Sequence, residues 1–304
     1  MAKLRESDAS YRRKVATQRV LKEVICLILC IISIIPFLIL FINATRTSEA
    51  IKVGLSLIPA GNLGENWTNF NLKQNGMQLT VFKAMVNSFI IAVPATFLSV
   101  YFSTLTAYGI HVYDFKLKKA AWSFILAVMI VPVTISAIGF YRFMLKLNLL
   151  DTYWPLIVPS VAAPAIVFFM KQYMESTLSK ELVEAARIDG ANDFMIWLKV
   201  VLPLCKPVLA TVALFIAVGQ WNSFMDTYLY ARDLPTLQYM LYEIMQQATI
   251  TVDPHAAAMQ AQSTVSPLSV RMAVTIIATI PILIVYPFLQ KYFVGGMTVG
   301  AVKD

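Results

Sequence analysis

Six runs of about twenty residues carry no Asp, Glu, Lys or Arg: Val24–Ala44, Ala84–Tyr108, Ala120–Tyr141, Thr152–Met170, Pro207–Met225 and Met272–Gln290. A helix of about 20 apolar residues crosses the hydrocarbon core of a bilayer. Inside that core every backbone N–H and C=O must find a partner within the protein, which leaves the helix as the form open to such runs. The expected fold class is therefore all-α integral membrane, with six transmembrane helices. Composition agrees, because hydrophobic residues are 58% of the 304 and charged residues 14%. A soluble chain of this length has no interior large enough to hide that much apolar surface. The expected organisation is a cytoplasmic tail over 1–23, a membrane domain over 24–290 and a second cytoplasmic tail over 291–304.

Orientation follows from the bias of Lys and Arg toward cytoplasmic loops. With the N-terminus inside, 17 of the 25 basic residues fall on the inner side. Seven of these precede the first run; the rest include Lys116, Lys118 and Lys119, then Lys171, Lys180, Arg187, Lys199 and Lys206. The long outer joins, about 45–83 and 226–271, are poor in positive charge for their length. Both termini are therefore expected in the cytoplasm, and the net charge of +8 is read as loop charge rather than as a nucleic-acid surface.

The inner join over about 178–203 is the least membrane-like part of the middle of the chain. In "ELVEAARIDGANDFMIWLKVVLP" (Glu181–Pro203), Ser179 suits a helix N-cap and Glu181 the positive end of the helix dipole. Leu182, Ala185, Ala186, Ile188 and Asp189 keep helical spacing, and Gly190 suits a left-handed stop. A second helix is expected from Asn192, ended by Leu202-Pro203, where proline redirects the chain into the fifth span. The expectation is a helix–turn–helix knuckle with small residues at Ala185 and Ala186 and polar edges at Glu184 and Arg187.

Glu184-Ala185-Ala186, then Gly190, then Val200-Val201-Leu202-Pro203 resembles the EAA loop of ATP-binding-cassette importer permeases. Val200 stands where isoleucine is usual. "NSFIIAVPATFLSVYFSTLTAYGIHVYDFK" (Asn87–Lys116), "VGQWNSF" (Val218–Phe224) and "PFLQKYFVGGMTVGAVKD" (Pro287–Asp304) extend the likeness. Together they resemble the carbohydrate-uptake permeases of the maltose type, specifically the smaller six-span partner. The resemblance implies a type I importer permease fold, in which the chain forms half of a pore for a sugar or oligosaccharide. It implies ATPase-coupling roles for Glu184, Ala185, Ala186, Asp189, Gly190, Leu202 and Pro203. It further implies a second permease subunit, a cytoplasmic ATPase dimer that holds the ATP and Mg, an extracytoplasmic sugar-binding protein, and a bacterial cell membrane. The C-terminal "GGMTVGAVKD", small-residue-rich and expected to be flexible, would touch the ATPase pair.

Polar groups at membrane depth point to a substrate path. Asn43, Asn87, Ser88, Gln220, Trp221 and Asn222 are the candidates, of which Asn87 and Gln220-Trp221-Asn222 combine amides for hydroxyls with an aromatic face for sugar C–H surfaces. The same residues also suit plain helix–helix bonding or, for Trp221, an interfacial belt. The outer segment "TLQYMLYEIMQQATI" (Thr236–Ile250) is partly amphipathic, fit either to meet a binding protein or to lie on the bilayer.

No nucleotide-binding Gly-x-x-x-x-Gly-Lys-Ser/Thr occurs, so the chain is expected to be a transport subunit rather than an enzyme and to bind no cofactor itself. Cys26, Cys30 and Cys205, with His111 and His255 isolated, make no metal pattern. Two alternatives stay open at this point. An ion-coupled secondary transporter would usually place carboxylates inside its spans, and none lies there. An importer permease for a non-sugar solute would share the same EAA loop.

Overall fold

The computed structural model describes residues 2–64, 72–74, 77–131, 133–250 and 267–301. The chain divides into two compact units, one of residues 1–69 with 247–276 and one of residues 70–246 with 277–304.

In the first unit, helix α1 runs unbroken from Ala2 to Ala44, carrying Pro36 inside it. The same helix takes in most of residues 1–23, with Arg19, Lys22 and Glu23 just ahead of the apolar run Val24–Ala44. The turn after α1 is buried and is also pinned by side chains. Thr45 Oγ1 donates to the Ile42 carbonyl (2.6 Å) and accepts from the Ala60 amide (2.9 Å). The buried Arg46 guanidinium donates to Asn43 Oδ1 (3.2 Å) and to the Gly54 carbonyl (3.0 Å), where the short helix α2 (Ser48–Val53) ends. Asn43 is thus committed to Arg46.

The second unit opens with an antiparallel pair, β1 (Leu72–Gln74) and β2 (Met77–Leu79), with Leu72 opposite Leu79. Helix α3 (Val81–Val112) follows, capped by Thr80, whose hydroxyl accepts from the Lys83 amide. Its buried face is lined by small residues, among them Ala84, Ala92, Ala95, Ser99, Ser103, Thr104 and Ala107. Small side chains let neighbouring backbones approach closely where no hydrophobic effect drives association. Helices α7 (Pro164–Thr177) and α10 (Lys206–Asn222) are its main neighbours on that face.

The remaining elements are α4 (Lys118–Ile130), α5 (Val133–Lys146), α6 (Trp154–Ile157), α8 (Lys180–Ile188), α9 (Asp193–Leu204), α11 (Met225–Tyr230), α12 (Leu237–Ile250) and α13 (Pro267–Ala301). Prolines set where several of them begin. Pro155, Pro159 and Pro164 each stand in the first turn of a segment, where a missing N–H costs nothing. The fourth apolar run is consequently assembled from α6, a 3₁₀ turn over Val158–Val161 and α7, over Trp154–Thr177.

Among the described residues, four helices are long and apolar enough to cross a membrane: Val15–Ala44, Val81–Val112, Trp154–Thr177 and Leu268–Pro287. A fifth is reached if α9 and α10, bent by 83°, count as one broken span. The third expected run, Ala120–Tyr141, does not form one helix; it is divided between α4 and α5. Val131, the residue before Pro132, is extended (φ −73°, ψ 121°), as the steric conflict with a following proline ring requires. The C-terminal segment also departs from expectation. Helix α13 continues through Gly295 and Gly296 to Ala301, since a glycine costs only about 1 kcal/mol against alanine and does not by itself stop a helix already under way.

Candidate functional site

The segment over 179–205 builds a two-helix knuckle from local signals. Ser179 is extended (φ −76°, ψ 148°) and its hydroxyl accepts from the Leu182 amide (3.4 Å). Glu181, in the first turn, has its pKa lowered by its own amide and by Ser179. At the other end of α8 the Ala191 amide donates to Ala186 O and the Gly190 amide to Arg187 O, both at 3.0 Å. This is the Schellman pattern of six-to-one and five-to-two bonds, and it needs a left-handed residue, here Gly190 at φ +83°. Two residues later Asn192 is extended and its Oδ1 accepts from the Met195 amide (2.8 Å), opening α9.

The second helix does not end at Leu202-Pro203. It continues to Leu204 and turns at Cys205. Trp197–Val201 form a π turn, in which the Leu202 amide reaches back to the Trp197 carbonyl. The wider turn absorbs the amide that Pro203 lacks and moves its ring away from the carbonyl it would otherwise strike. Pro207, in the first turn of α10, then starts the next helix.

One face of the knuckle is buried and the other is bare. Val183, Ile196, Trp197, Val201 and Cys205 join Ala107 and Tyr108 of α3 and Met170 and Met174 of α7 in one apolar cluster. The opposite face presents Leu182, Ala185, Phe194 and Leu198 to the surface, with Ile188 at its tip 86% exposed. Glu184, Asp189 and Gly190 are exposed beside them; Ala186 is half-buried, Leu202 partly buried and Pro203 exposed. The coupling residues named from sequence thus fall into two groups, an outward set around Ala185 and Gly190 and an inner set near the bend.

Read from sequence, the end of α3, "HVYDFK" (His111–Lys116), has a place in the family likeness but no role of its own. His111 Nε2 lies 3.0 Å from the Leu178 carbonyl. Asp114 pairs with Lys118 (2.9 Å) and Lys180 (3.6 Å), and its pKa is lowered chiefly by Lys118. Arg187 donates to Asp193 Oδ1 from Nη2 (3.0 Å) and Nε (3.3 Å), and its guanidinium stands 5.3 Å from the centre of the Tyr113 ring. The Tyr113 hydroxyl is the main cause lowering the Asp193 pKa, with Arg187 adding to it, while burial raises that of Tyr113 itself.

The pathway candidates are not gathered into one polar site. Asn87 is buried, donating from Nδ2 to the Pro235 carbonyl (3.0 Å) and accepting from the Tyr153 hydroxyl (2.7 Å). Ser88 beside it accepts from the Leu237 amide (3.0 Å), and so caps α12. Trp221 is buried, donates to the Ala278 carbonyl (2.9 Å) and packs edge-on against Phe89. Its ring lines a cavity of about 450 Å³ between α3, α10 and α13, walled by Val93, Phe97, Leu214 and Ile282. Asn222 is exposed and accepts from Gln238 Nε2 (3.0 Å), and Gln220 is half-buried. All but the first residue of the amphipathic segment forms α12, while residues 251–266 of that outer join lie outside the described residues.

A model of the binding-protein-dependent transport system inner membrane component matches residues 99–299. The arabinooligosaccharides transport system permease protein AraQ of Halalkalibacterium halodurans is 32% identical over 277 residues, 90% of this chain and 92% of the other. The trehalose/maltose transport system permease protein MalG of Thermococcus litoralis is 30% identical over 294 residues, 96% and 99% of the two chains. A chain from the crystal structure of a bacterial transporter that imports the acidic polysaccharide alginate superposes with a TM-score of 0.70 at 26% identity, covering 91% of this chain and 98% of that one.

Proposed function

Because this chain belongs to the family of inner membrane components of binding-protein-dependent transport systems, we propose that it is a permease subunit of an ATP-driven importer that takes up an oligosaccharide. The sugar class is supported by relatives that carry arabino-oligosaccharides, trehalose and maltose along nearly their whole shared length. Six crossings follow if α4 with α5 makes the third and α10 supplies the fifth, with α9 staying in the knuckle on the near side of the 83° bend. Lys and Arg then put both termini and the knuckle in the cytoplasm. The chain supplies half of the pore; a second permease supplies the other half, a binding protein delivers the sugar, and an ATPase dimer holds ATP and Mg.

One observation carries the coupling role. The knuckle exposes the apolar side chains of Leu182, Ala185, Ile188, Phe194 and Leu198. Several large apolar side chains exposed on a segment read as cytoplasmic favour a protein-binding surface. Its small centre at Ala185 and Gly190 admits a groove wall closely, and Glu184 and Asp189 border it. ATP-driven movement of the bound ATPase acts on this face and switches the pore between inward- and outward-open states, provided the two states bind the ATPase with different affinity. For the sugar path we assign Gln220 and Asn222 as the amides that meet hydroxyls, while Asn87 and Trp221, bonded to the Pro235 and Ala278 carbonyls, hold the helices around that path.

Ile188→Glu tests the docking face, since a side chain this exposed contributes little to folding. The membrane-inserted variant is expected to lose the co-purifying ATPase and ATP-dependent uptake. Retention of both at wild-type levels would remove the knuckle from the coupling role.

A further inference from the structure

Behind the docking face, three side chains meet that it does not use. Arg187 crosses the Gly190 turn to Asp193 and lies over the ring of Tyr113. Tyr113 is the C-cap of α3, and its ring packs edge-on against the buried Tyr108 (5.9 Å between centres). A guanidinium is drawn to an aromatic face by the ring quadrupole, and its planar fork holds a fixed angle to a carboxylate. The contact therefore fixes direction. The apolar cluster under the knuckle does not, because burial is non-directional and lets packed helices slide.

From this geometry we infer that Tyr113 is a positioning residue for transport. Its ring holds Arg187, and through Arg187 and Asp193 the tilt of the knuckle, so that force applied to the docking face moves the end of α3 instead of being lost in the joint. The inference rests on the permease reading above. Two further contacts favour the same joint: His111 with the Leu178 carbonyl, and Asp114 with Lys180. Toward its far end α3 holds the start of α12 through Ser88 and the chain just before it, at Pro235, through Asn87. The helix between is a single element of 32 residues. Physical coupling of this kind needs an element whose position both ends bias, and α3 is tied at both.

The Arg187–Asp193 pair is about half exposed, with side chains 41% and 57% accessible, which makes it a weak source of stability. Its loss should leave the fold intact and change coupling. The experiment uses the complete complex in liposomes, with binding protein, and reads sugar imported per ATP hydrolysed, using whichever of maltotriose, arabinotriose and raffinose the wild-type complex imports. Tyr113→Leu and Arg187→Gln are expected to lower that ratio roughly three- to tenfold, with the ATPase still co-purifying and the KM for sugar unchanged. Tyr113→Phe, which keeps the ring face over Arg187 but loses the hydroxyl that meets Asp193, should fall between wild type and the Leu variant. The double variant Tyr113→Leu with Arg187→Gln should be no worse than either single one, since both break the same contact.

An unchanged ratio in Arg187→Gln, whose exposed side chain is not needed for folding, overturns the inference; so do losses that multiply in the double variant, or a Phe variant as impaired as the Leu one. The wild-type control separates this from the parent reading. No ATP-driven import of any of the three sugars by wild type refutes the oligosaccharide assignment and the latch with it, whereas normal wild-type import beside normal variants refutes the latch alone.

Discussion

Asp193 shows how one carboxylate can report on a joint. Its pKa is lowered by the Tyr113 hydroxyl and then by Arg187. A depressed folded value means that the contribution is fully present above the unfolded pKa, about 3.9, and is lost as pH falls through the folded one. Amide protection over Asp193–Ile196, corrected for intrinsic exchange, is therefore expected to stay level from neutral pH down to the carboxylate range and to drop only below it. Asp193→Asn should show the lowered protection already at neutral pH and no step on acidification. Glu181, depressed by its own amide and by Ser179, titrates in α8 and is read in separate peptides over 180–188. A step that survives in the Asn variant would belong to another group. The same residues show what a sequence discloses easily. Ser179, Gly190 and Asn192 each act within three residues of themselves, as caps or as a left-handed turn, and their local chemistry was enough to draw the knuckle in advance.

At the scale of elements the sequence is less candid, because the partners are far apart in the chain. Asn87 reads as a free amide at membrane depth, yet its acceptor is the Pro235 carbonyl, 148 residues away. Trp221 reads as a sugar platform or a belt residue, yet its N–H is committed to Ala278. Nothing in the neighbourhood of either residue announces these bonds. The runs of apolar residues were equally silent about continuity. Ala120–Tyr141 looks like one span, but Pro132 sets Val131 in extended backbone and two shorter helices result. Pro203 misled in the opposite sense, since a π turn accommodates it and the chain bends at Cys205 instead. The bond between Ser88 and α12 is testable as an element-level clasp. Ser88→Ala leaves the buried Leu237 amide without its acceptor, a cost of about 1–3 kcal/mol. Hydrogen exchange across the first turn of α12 should accelerate by roughly one to two orders of magnitude, while that of α9 stays as in wild type. Equal acceleration in both would mean global destabilisation and not the loss of a clasp.

Across the whole molecule, α3 links the two regions to which the proposals refer, with the knuckle at one end and the start of α12 at the other. Its 32 residues make a rod of about 48 Å at 1.5 Å per residue. The knuckle itself has a further property. Its shape is written in main-chain bonds and caps: Ser179, the Schellman pair at Gly190 and Ala191, and Asn192. None of those bonds uses the outward side chains of Leu182, Ala185, Ile188, Phe194 or Leu198. Exchanging these five for their counterparts in another permease is expected to keep the knuckle folded and to transfer co-purification to the donor's ATPase. Capture of the original ATPase alone would show that recognition lies elsewhere. Address and architecture are thus separately editable: a lineage can redirect such a chain to a new motor by rewriting a few letters on its bare face, without renegotiating the fold beneath.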